Sequence, residues 1–348
     1  MNRLRGPILR SVSRSFYLSL RILPARLRDP LSLAYLLARA TDTIADTAEA
    51  PEALRVESLR NLADAIQGNA PTTTAAGIRA SFGPFQNDMA ERALIDALPE
   101  TLEWLERLDD RDRHEVRNVL RKINQGQMLD LERFGGGTST STSTSTSTST
   151  STSTSTSTSI RALLTSGDLD EYTYLVAGCV GEFWTRVCFA HVRDFSDRTE
   201  PEMLDLGVKY GKGLQLINVL RDAGSDLRAG RCYLPAEELH SLGANPEEIL
   251  ANPERVQPVI RRWRENAESG MAAGLDYACA IRSRRVRFAT ALPALIGART
   301  LALLRGAGPE IFERQVKVPR AEIRKIMSSV ATRLASPKSL RETFRRLS

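Results

Sequence analysis

The sequence predicts an all-α fold, and three observations carry that prediction. Leu, Ala and Arg, all good helix formers, dominate the composition, while turn-flanked runs of alternating β-branched residues are scarce. Apolar residues make up 42% of the 348, a share that belongs to globular rather than disordered chains. Long stretches repeat their apolar positions with the period of a helix. A chain of this length can bury a sizeable core.

The elements follow in chain order. Residues 31–45, LSLAYLLARATDTIA, are apolar on nearly every face, which marks a helix buried on most sides. Residues 90–134 read as amphipathic helix, broken near Asp109 to Asp112. Residues 168–192 form a mostly apolar helix in which Gly178 and Gly181 let a neighbouring helix come close. Helix over 203–227 follows, then a proline-punctuated region over 235–258, then three further helical stretches ending near Arg345. The most apolar stretch, 288–304, contains Pro293 and Arg299 and is short for a membrane span, so a buried core helix is expected there. Residues 138–159 are a strict Thr-Ser alternation preceded by three glycines. With no apolar side chain to bury, such a tract cannot offset its ordering entropy. It reads as a low-complexity insertion within a single domain spanning 1–348.

The charge balance excludes some functions. A net charge of +6 from 48 basic and 42 acidic residues permits weak attraction to anionic substrates or acidic membranes, but it is no nucleic-acid footprint. Arg282, Arg284, Arg285 and Arg287 read as a solvated helix face. The four cysteines form no C-x-x-C pair, and His114, His191 and His240 are too scattered to suggest zinc. A reducing cytoplasm fits this cysteine usage, with peripheral contact to the inner face of the membrane left open. The first ten residues are basic but are followed by no long apolar core, so no secretory signal is read there.

Two polar stripes lie on apolar helices far apart in the chain. Tyr35, Arg39, Asp42 and Asp46 step by four, three and four; Gln215, Asn218, Asp222 and Asp226 step by three, four and four. At 3.6 residues per turn each set draws one stripe about three turns long. Either stripe alone could be surface decoration, with Arg39 and Arg221 as exposed partners. Two stripes on apolar helices are harder to explain that way, because a buried carboxylate costs several kcal/mol unless paired or metal-bound. Magnesium prefers a few carboxylates together with waters and phosphate oxygens, and an i,i+4 pair offers two carboxylates to one group of ions. Arg39, Arg221 and Arg231 would add charge for a diphosphate leaving group. The allylic cation left behind needs a dry apolar cavity, which helices of this composition can wall.

Four segments carry a resemblance. SRSF at 13–16, YLLARATDTIAD at 35–46, YTYLVAGCVGEFWT at 172–185 and LQLINVLRDAGSDLRAGRCYLP at 214–235, in that order, resemble the squalene and phytoene synthase family over nearly the whole chain. The resemblance implies an all-α isoprenoid-synthase fold with a central cavity and two facing Asp-rich helices. It implies magnesium at Asp42, Asp46, Asp222 and Asp226. It also implies diphosphate or substrate contact for Ser13, Arg14, Ser15, Phe16, Tyr35, Arg39, Val176, Gln215, Asn218, Arg221, Arg231 and Tyr233. Tyr172 matches a tyrosine that handles a proton or stabilises a cation, and Val176, Ala177, Gly178 and Val180 match cavity wall. Ser225 stands where relatives often carry an acid, Thr173 replaces a frequent cysteine, and Gly224 is a poor helix former.

Within that family the segments 13–24, 290–304 and 316–323 look closer to the squalene branch. The implied reaction is condensation of two farnesyl diphosphates to presqualene diphosphate, then reduction by NADPH, with Lys317 and Arg320 near the nucleotide. Phytoene or dehydrosqualene synthesis without a reductant, and release of presqualene diphosphate, remain open. A non-catalytic binder of prenyl lipids is the alternative of another class, and four acids on two apolar helices speak against it.

Overall fold

Helical periodicity in the sequence becomes helix along almost all of the described chain. The structure is a computed structural model and describes residues 3–13, 16–71, 73–135, 160–332 and 336–348. The Thr-Ser tract at 138–159 and the candidate residues Arg14 and Ser15 lie outside the described residues.

The first aspartate helix runs Ala25–Asp46 and starts directly after Pro24. It ends where Thr47 turns extended and donates its hydroxyl to the Thr43 carbonyl at 2.7 Å. The amphipathic stretch 90–134 divides into Met89–Asp96, Leu98–Glu106 and Asp110–Phe134. The break near Asp109 is as expected, and Asp109 caps the third helix by accepting from the Asp112 N–H at 2.9 Å. The additional break at Ala97 has a local cause. Pro99 has no N–H to give the preceding turn, so the chain restarts at Leu98 with Pro99 in the first turn of the new helix.

The apolar stretch 168–192 is Ser166–Thr173, a π-helical turn Tyr174–Gly178, and Cys179–His191. In that turn the Cys179 N–H reaches the carbonyl of Tyr174, five residues back. The second aspartate helix, Glu200–Arg228, opens with a reciprocal cap between Thr199 and Glu202. Four helices close the chain, one more than the sequence suggests: Gln257–Ala280, Arg284–Ala307, Arg320–Thr332 and Pro337–Leu347. The extra start comes from Ser336, whose side chain accepts from the Ser339 N–H, with Pro337 at the first helical position. Among the described residues the stretch Arg284–Phe312 is apolar and long enough to cross a membrane, and 61% of its most apolar window is buried. It packs on Gln257–Ala280 and on the second aspartate helix. The four cysteines are unpaired and buried.

One apolar cluster joins the first aspartate helix to Asp110–Phe134 through Leu36, Leu37, Val116 and Leu120; another surrounds the second aspartate helix through Leu216, Ile217, Trp263 and Leu301. Two-residue strands, Arg161–Ala162 and Arg231–Cys232, pair in parallel with Arg161 opposite Arg231. The helices meet closely where glycines face each other. A Cβ on Gly181 would lie 2.0 Å from the Gly207 carbonyl oxygen, a backbone atom that cannot swing away. Gly181→Ala is therefore expected to destabilise the fold by about 1–3 kcal/mol. Urea unfolding should show a lower midpoint at unchanged m. A midpoint equal to that of the unsubstituted chain would show that these helices are free to move apart.

Candidate active site

The two polar stripes face one another across a cavity of about 1340 Å³. Tyr35, Arg39, Asp42 and Asp46 line it from the first aspartate helix, and Gln215, Asn218, Arg221, Asp222 and Asp226 from the second. Arg231 and Tyr233 reach it from the strand segment that follows, Tyr172 and Val180 from either side of the π-turn, and Val176 from within it. The lining follows the first helix from Leu31 to Asp46, about 22 Å at 1.5 Å per residue. Its composition changes along that length. Leu31, Ala34 and Ala38, with Val119, Ile123, Phe183 and Trp184, make apolar wall, and the carboxylates stand at the helix's C-terminal end.

Some expected residues stand elsewhere. Ala177 and Gly178 pack on the second aspartate helix: a Cβ on Gly211 would meet the Ala177 carbonyl oxygen at 2.3 Å, and one on Gly178 would meet Lys212 and Val208. Close packing between two helices, not ligand contact, explains those small residues. Ser13 is buried and donates its hydroxyl to the Leu9 carbonyl. Phe16 opens the short helix Phe16–Ile22. Tyr35 ties this N-terminal segment to the cavity by donating to the Val12 carbonyl at 3.1 Å. Lys317 and Arg320 are exposed and outside the lining, although the Lys317 charge acts on Asp222.

Asp42 keeps 43% of its side chain accessible and Asp46 is exposed, yet protein atoms crowd around both. Their open surface faces the cavity rather than bulk water, which is why burial still dominates their ionisation. Burial, then the charge of Asp46, pushes Asp42 up to about 6 against the pull of Arg39. Asp46 and Asp226 are also raised, by burial first, with Arg231 opposing in both cases. Asp222 goes the other way. Burial pushes it up, but hydrogen bonds from Arg221 and Gln315 and the charges of Arg221 and Lys317 bring it below the usual carboxylate range. The two stripes thus set three carboxylates that resist ionising beside one held as the anion.

Five contributors escape the sequence reading. Asp130 accepts from the Tyr233 hydroxyl at 2.8 Å, and burial pushes it up to about 6. Tyr233 in turn stacks on Tyr172, ring centres 5.0 Å apart, and Gln215 donates to the Tyr172 hydroxyl at 3.4 Å. Burial, with the Asp130 charge behind it, raises Tyr172 so that it stays a neutral phenol. Gln127 lines the cavity beside Asp130, and the step Gln127, Asp130, Phe134 is a faint stripe the sequence does offer. Arg55 and Glu91 come from other helices with no sequence signal, Glu91 by pairing with Arg39. Gln315 reaches Asp222 because Gly224 admits the chain there: a Cβ on Gly224 would lie 2.2 Å from the Phe312 carbonyl oxygen. The poor helix former is thus a docking point.

The donor set fits a cation–diphosphate group. Carboxylates supply hard oxygen ligands. The Nε atoms of Arg39, Arg55 and Arg231 are buried at the cavity without a hydrogen-bond partner, as are Gln127 Oε1 and Trp184 Nε1. The three arginine Nε atoms and Trp184 Nε1 are donors, whereas Gln127 Oε1 is an unpaired acceptor. Unpaired donors beside the carboxylates fit a ligand that accepts from them. A second acidic group, Asp109, Asp112 and His191, brings its ligand atoms within 4.8 Å of one another. There Asp112 bonds His191 at 2.7 Å and Asp109 caps a helix, so both already have structural roles.

Residues 9–322 match the family described as squalene/phytoene synthase. Lycopaoctaene synthase of Botryococcus braunii is 23% identical over 335 residues, 94% of this chain and 66% of its own length. The squalene synthase of Saccharomyces cerevisiae is 26% identical over 321 residues, 89% of this chain and 63% of its own. This chain therefore spans slightly under two thirds of the length of these curated relatives. Among solved structures, the complex of TcSQS with the ligand BPH1237 aligns with a TM-score of 0.75 over 99% of this chain and 89% of that one, at 19% identity. At that identity the likeness is one of fold.

The raised Asp130 has a consequence for stability. Unfolded, it releases its proton near the ordinary 3.8; folded, it holds the proton to about 6. The folded state binds more protons in between, so stability falls as pH rises through that window. Asp130→Asn keeps an acceptor for Tyr233 and removes the charge. In metal-free buffer it is expected to be more stable than the unsubstituted chain by about 1–3 kcal/mol at pH 8, and by little below about pH 4. Urea midpoints at the two pH values measure this; an equal difference at both would overturn the assignment.

Proposed function

This chain belongs to the squalene/phytoene synthase family, and from that premise we propose that it joins two prenyl diphosphates head to head, with residues 1–348 acting as one catalytic unit. The observation that supports this best is the cavity: two facing acidic stripes at one end, apolar and aromatic wall over the rest. Its volume of about 1340 Å³ exceeds the roughly 300–1,000 Å³ usual for small-ligand pockets. That suits two long apolar tails better than one.

In this reading the residues divide the work. As the carbon–oxygen bond of the first substrate breaks, its electron pair leaves with the diphosphate, whose charge Arg39, Arg55 and Arg231 receive. Magnesium among Asp42, Asp46, Asp222 and Asp226 would supply the remaining neutralisation. The raised ionisation of Asp42, Asp46 and Asp226 fits such a site, because a cation reverses the penalty of charging them. Val176, Val180 and Phe183 keep water from the allylic cation, and the Tyr172 and Trp184 rings line the same cavity as polarisable aromatic wall. The double bond of the second substrate captures the cation, and loss of one proton closes a cyclopropane. That proton passes to the released diphosphate, itself a base, with the neutral Tyr172 hydroxyl as relay. Tyr172 stacks on Tyr233, which donates to Asp130, and Gln215 donates to the Tyr172 hydroxyl. Tyr35 holds the N-terminal segment beside the donor substrate, and Ser13 firms that segment by bonding the Leu9 carbonyl within it.

Farnesyl diphosphate as substrate and NADPH as reductant, hence squalene as product, is the finer part of the proposal. It rests on the likeness of 13–24, 290–304 and 316–323 to the squalene branch, with Lys317 and Arg320 toward the nucleotide.

Two experiments bear on this. Asp42→Asn and Asp222→Asn should each lower turnover roughly 100-fold or more while leaving the helical circular dichroism intact, since each removes ligand charge without changing volume. Near-normal turnover in either would sink the two-stripe reading. Product analysis with farnesyl and with geranylgeranyl diphosphate, each with and without NADPH, should give squalene only from farnesyl diphosphate plus NADPH. Identical products with and without NADPH would point instead to phytoene-type or presqualene-type chemistry.

A further inference from the structure

We infer that Glu91 is a positioning residue for the first metal-binding stripe, holding Arg39 so that Asp42 can turn to a cation. The inference rests on the functional reading above and adds a residue to it.

A closed ring of hydrogen bonds builds Glu91 into place. Thr47, the residue after Asp46, accepts at its hydroxyl from Gln86 Nε2 at 3.0 Å. Gln86 Oε1 accepts from the Asp88 N–H at 3.0 Å. Asp88 caps Met89–Asp96, accepting from the N–H groups of Ala90 at 2.8 Å and Glu91 at 3.1 Å. The first turn of that helix then presents Glu91 back to the first aspartate helix, where its carboxylate accepts from Arg39 Nη2. Thr47 and Gln86 are buried and anchor the ring from inside, while the Asp88 cap closes it at the surface.

Arg39 spends its other edge on Asp42, Nη1 to Oδ2 at 2.6 Å. A guanidinium matches a carboxylate best as a two-pronged fork. With Nη2 held by Glu91, Arg39 gives Asp42 one prong only. Asp42 therefore keeps lone pairs for a cation, and Arg39 keeps its orientation when Asp42 moves. Without the Glu91 charge, Arg39 is free to fork onto Asp42 and neutralise it. The loss of one nearby negative charge weakens cation binding in the same direction.

The test is metal binding rather than turnover. The full chain, with inorganic pyrophosphate present, is titrated with Mn²⁺ while electron paramagnetic resonance reads the free ion; melting curves are recorded in parallel. Glu91→Gln is expected to raise the half-saturating Mn²⁺ concentration about tenfold or more, as loss of outer-shell partners does at other metal sites. Glu91→Asp should restore part of it. A half-saturation in Glu91→Gln equal to that of the unsubstituted chain overturns the inference alone, even where the melting temperature falls. If Glu91→Gln does not fold, binding in Glu91→Asp equal to that of the unsubstituted chain, despite an arm one methylene shorter, also counts against it. An unsubstituted chain that binds no Mn²⁺ with pyrophosphate overturns both this inference and the metal-dependent reading.

Discussion

Asp42, Asp46, Asp130, Asp222 and Asp226 open into one cavity, and like charges gathered in a weakly polar wall cannot all be carried without compensation. Much of the surrounding architecture answers that constraint. Arg39, Arg221 and Arg231 each pair with one of the acids, and Arg55 acts on Asp46 without a direct bond. Tyr233 gives Asp130 a neutral donor instead of a charge. What compensation the chain does not supply shows as raised ionisation of Asp42, Asp46, Asp130 and Asp226. A site left partly uncompensated by its own residues is prepared for cations from outside.

Holding such groups at a fixed separation requires helices that cannot drift. The second aspartate helix is pinned by backbone contact at Gly207, Gly211 and Gly224, and Arg228 donates to the Phe312 carbonyl at 2.6 Å. These anchors seat the chain ahead of Gln315 and Lys317 beside Asp222. Helix contact and site chemistry therefore share residues: the glycines that look weak by helix propensity let the acids keep their places.

The fold was legible because apolar period 3.6 survives translation into structure, and both acidic stripes were legible for the same reason. Asp42 and Asp46, or Asp222 and Asp226, share a face whatever the rest of the molecule does. What failed were features set by contacts between distant segments. Glu91 lies 52 residues from Arg39 in sequence and meets it only because a capped turn returns there. Arg55 looks like any arginine on an amphipathic helix. Ala177 and Gly178 sit in the right motif but turn away from the face of Tyr172, Val176 and Val180, onto the second aspartate helix. Pro99 and Pro337, by contrast, carry a local helix-start signal that the sequence reading passed over.

That π-turn, Tyr174–Gly178, gives the wall a property of its own. An ordinary helix ties the aim of every side chain to that of its neighbours, since each residue advances the direction by about 100°. One surplus residue in a widened turn breaks the tie. Tyr172 on one side and Val180, Phe183 and Trp184 on the other all line the cavity, and the turn between them lets the two parts be aimed separately. Removing a single residue from the turn would swing Tyr172 aside and leave the outer packing of Cys179–His191 in place. A change of length in this turn would thus reshape the cavity wall while sparing the packing beneath it.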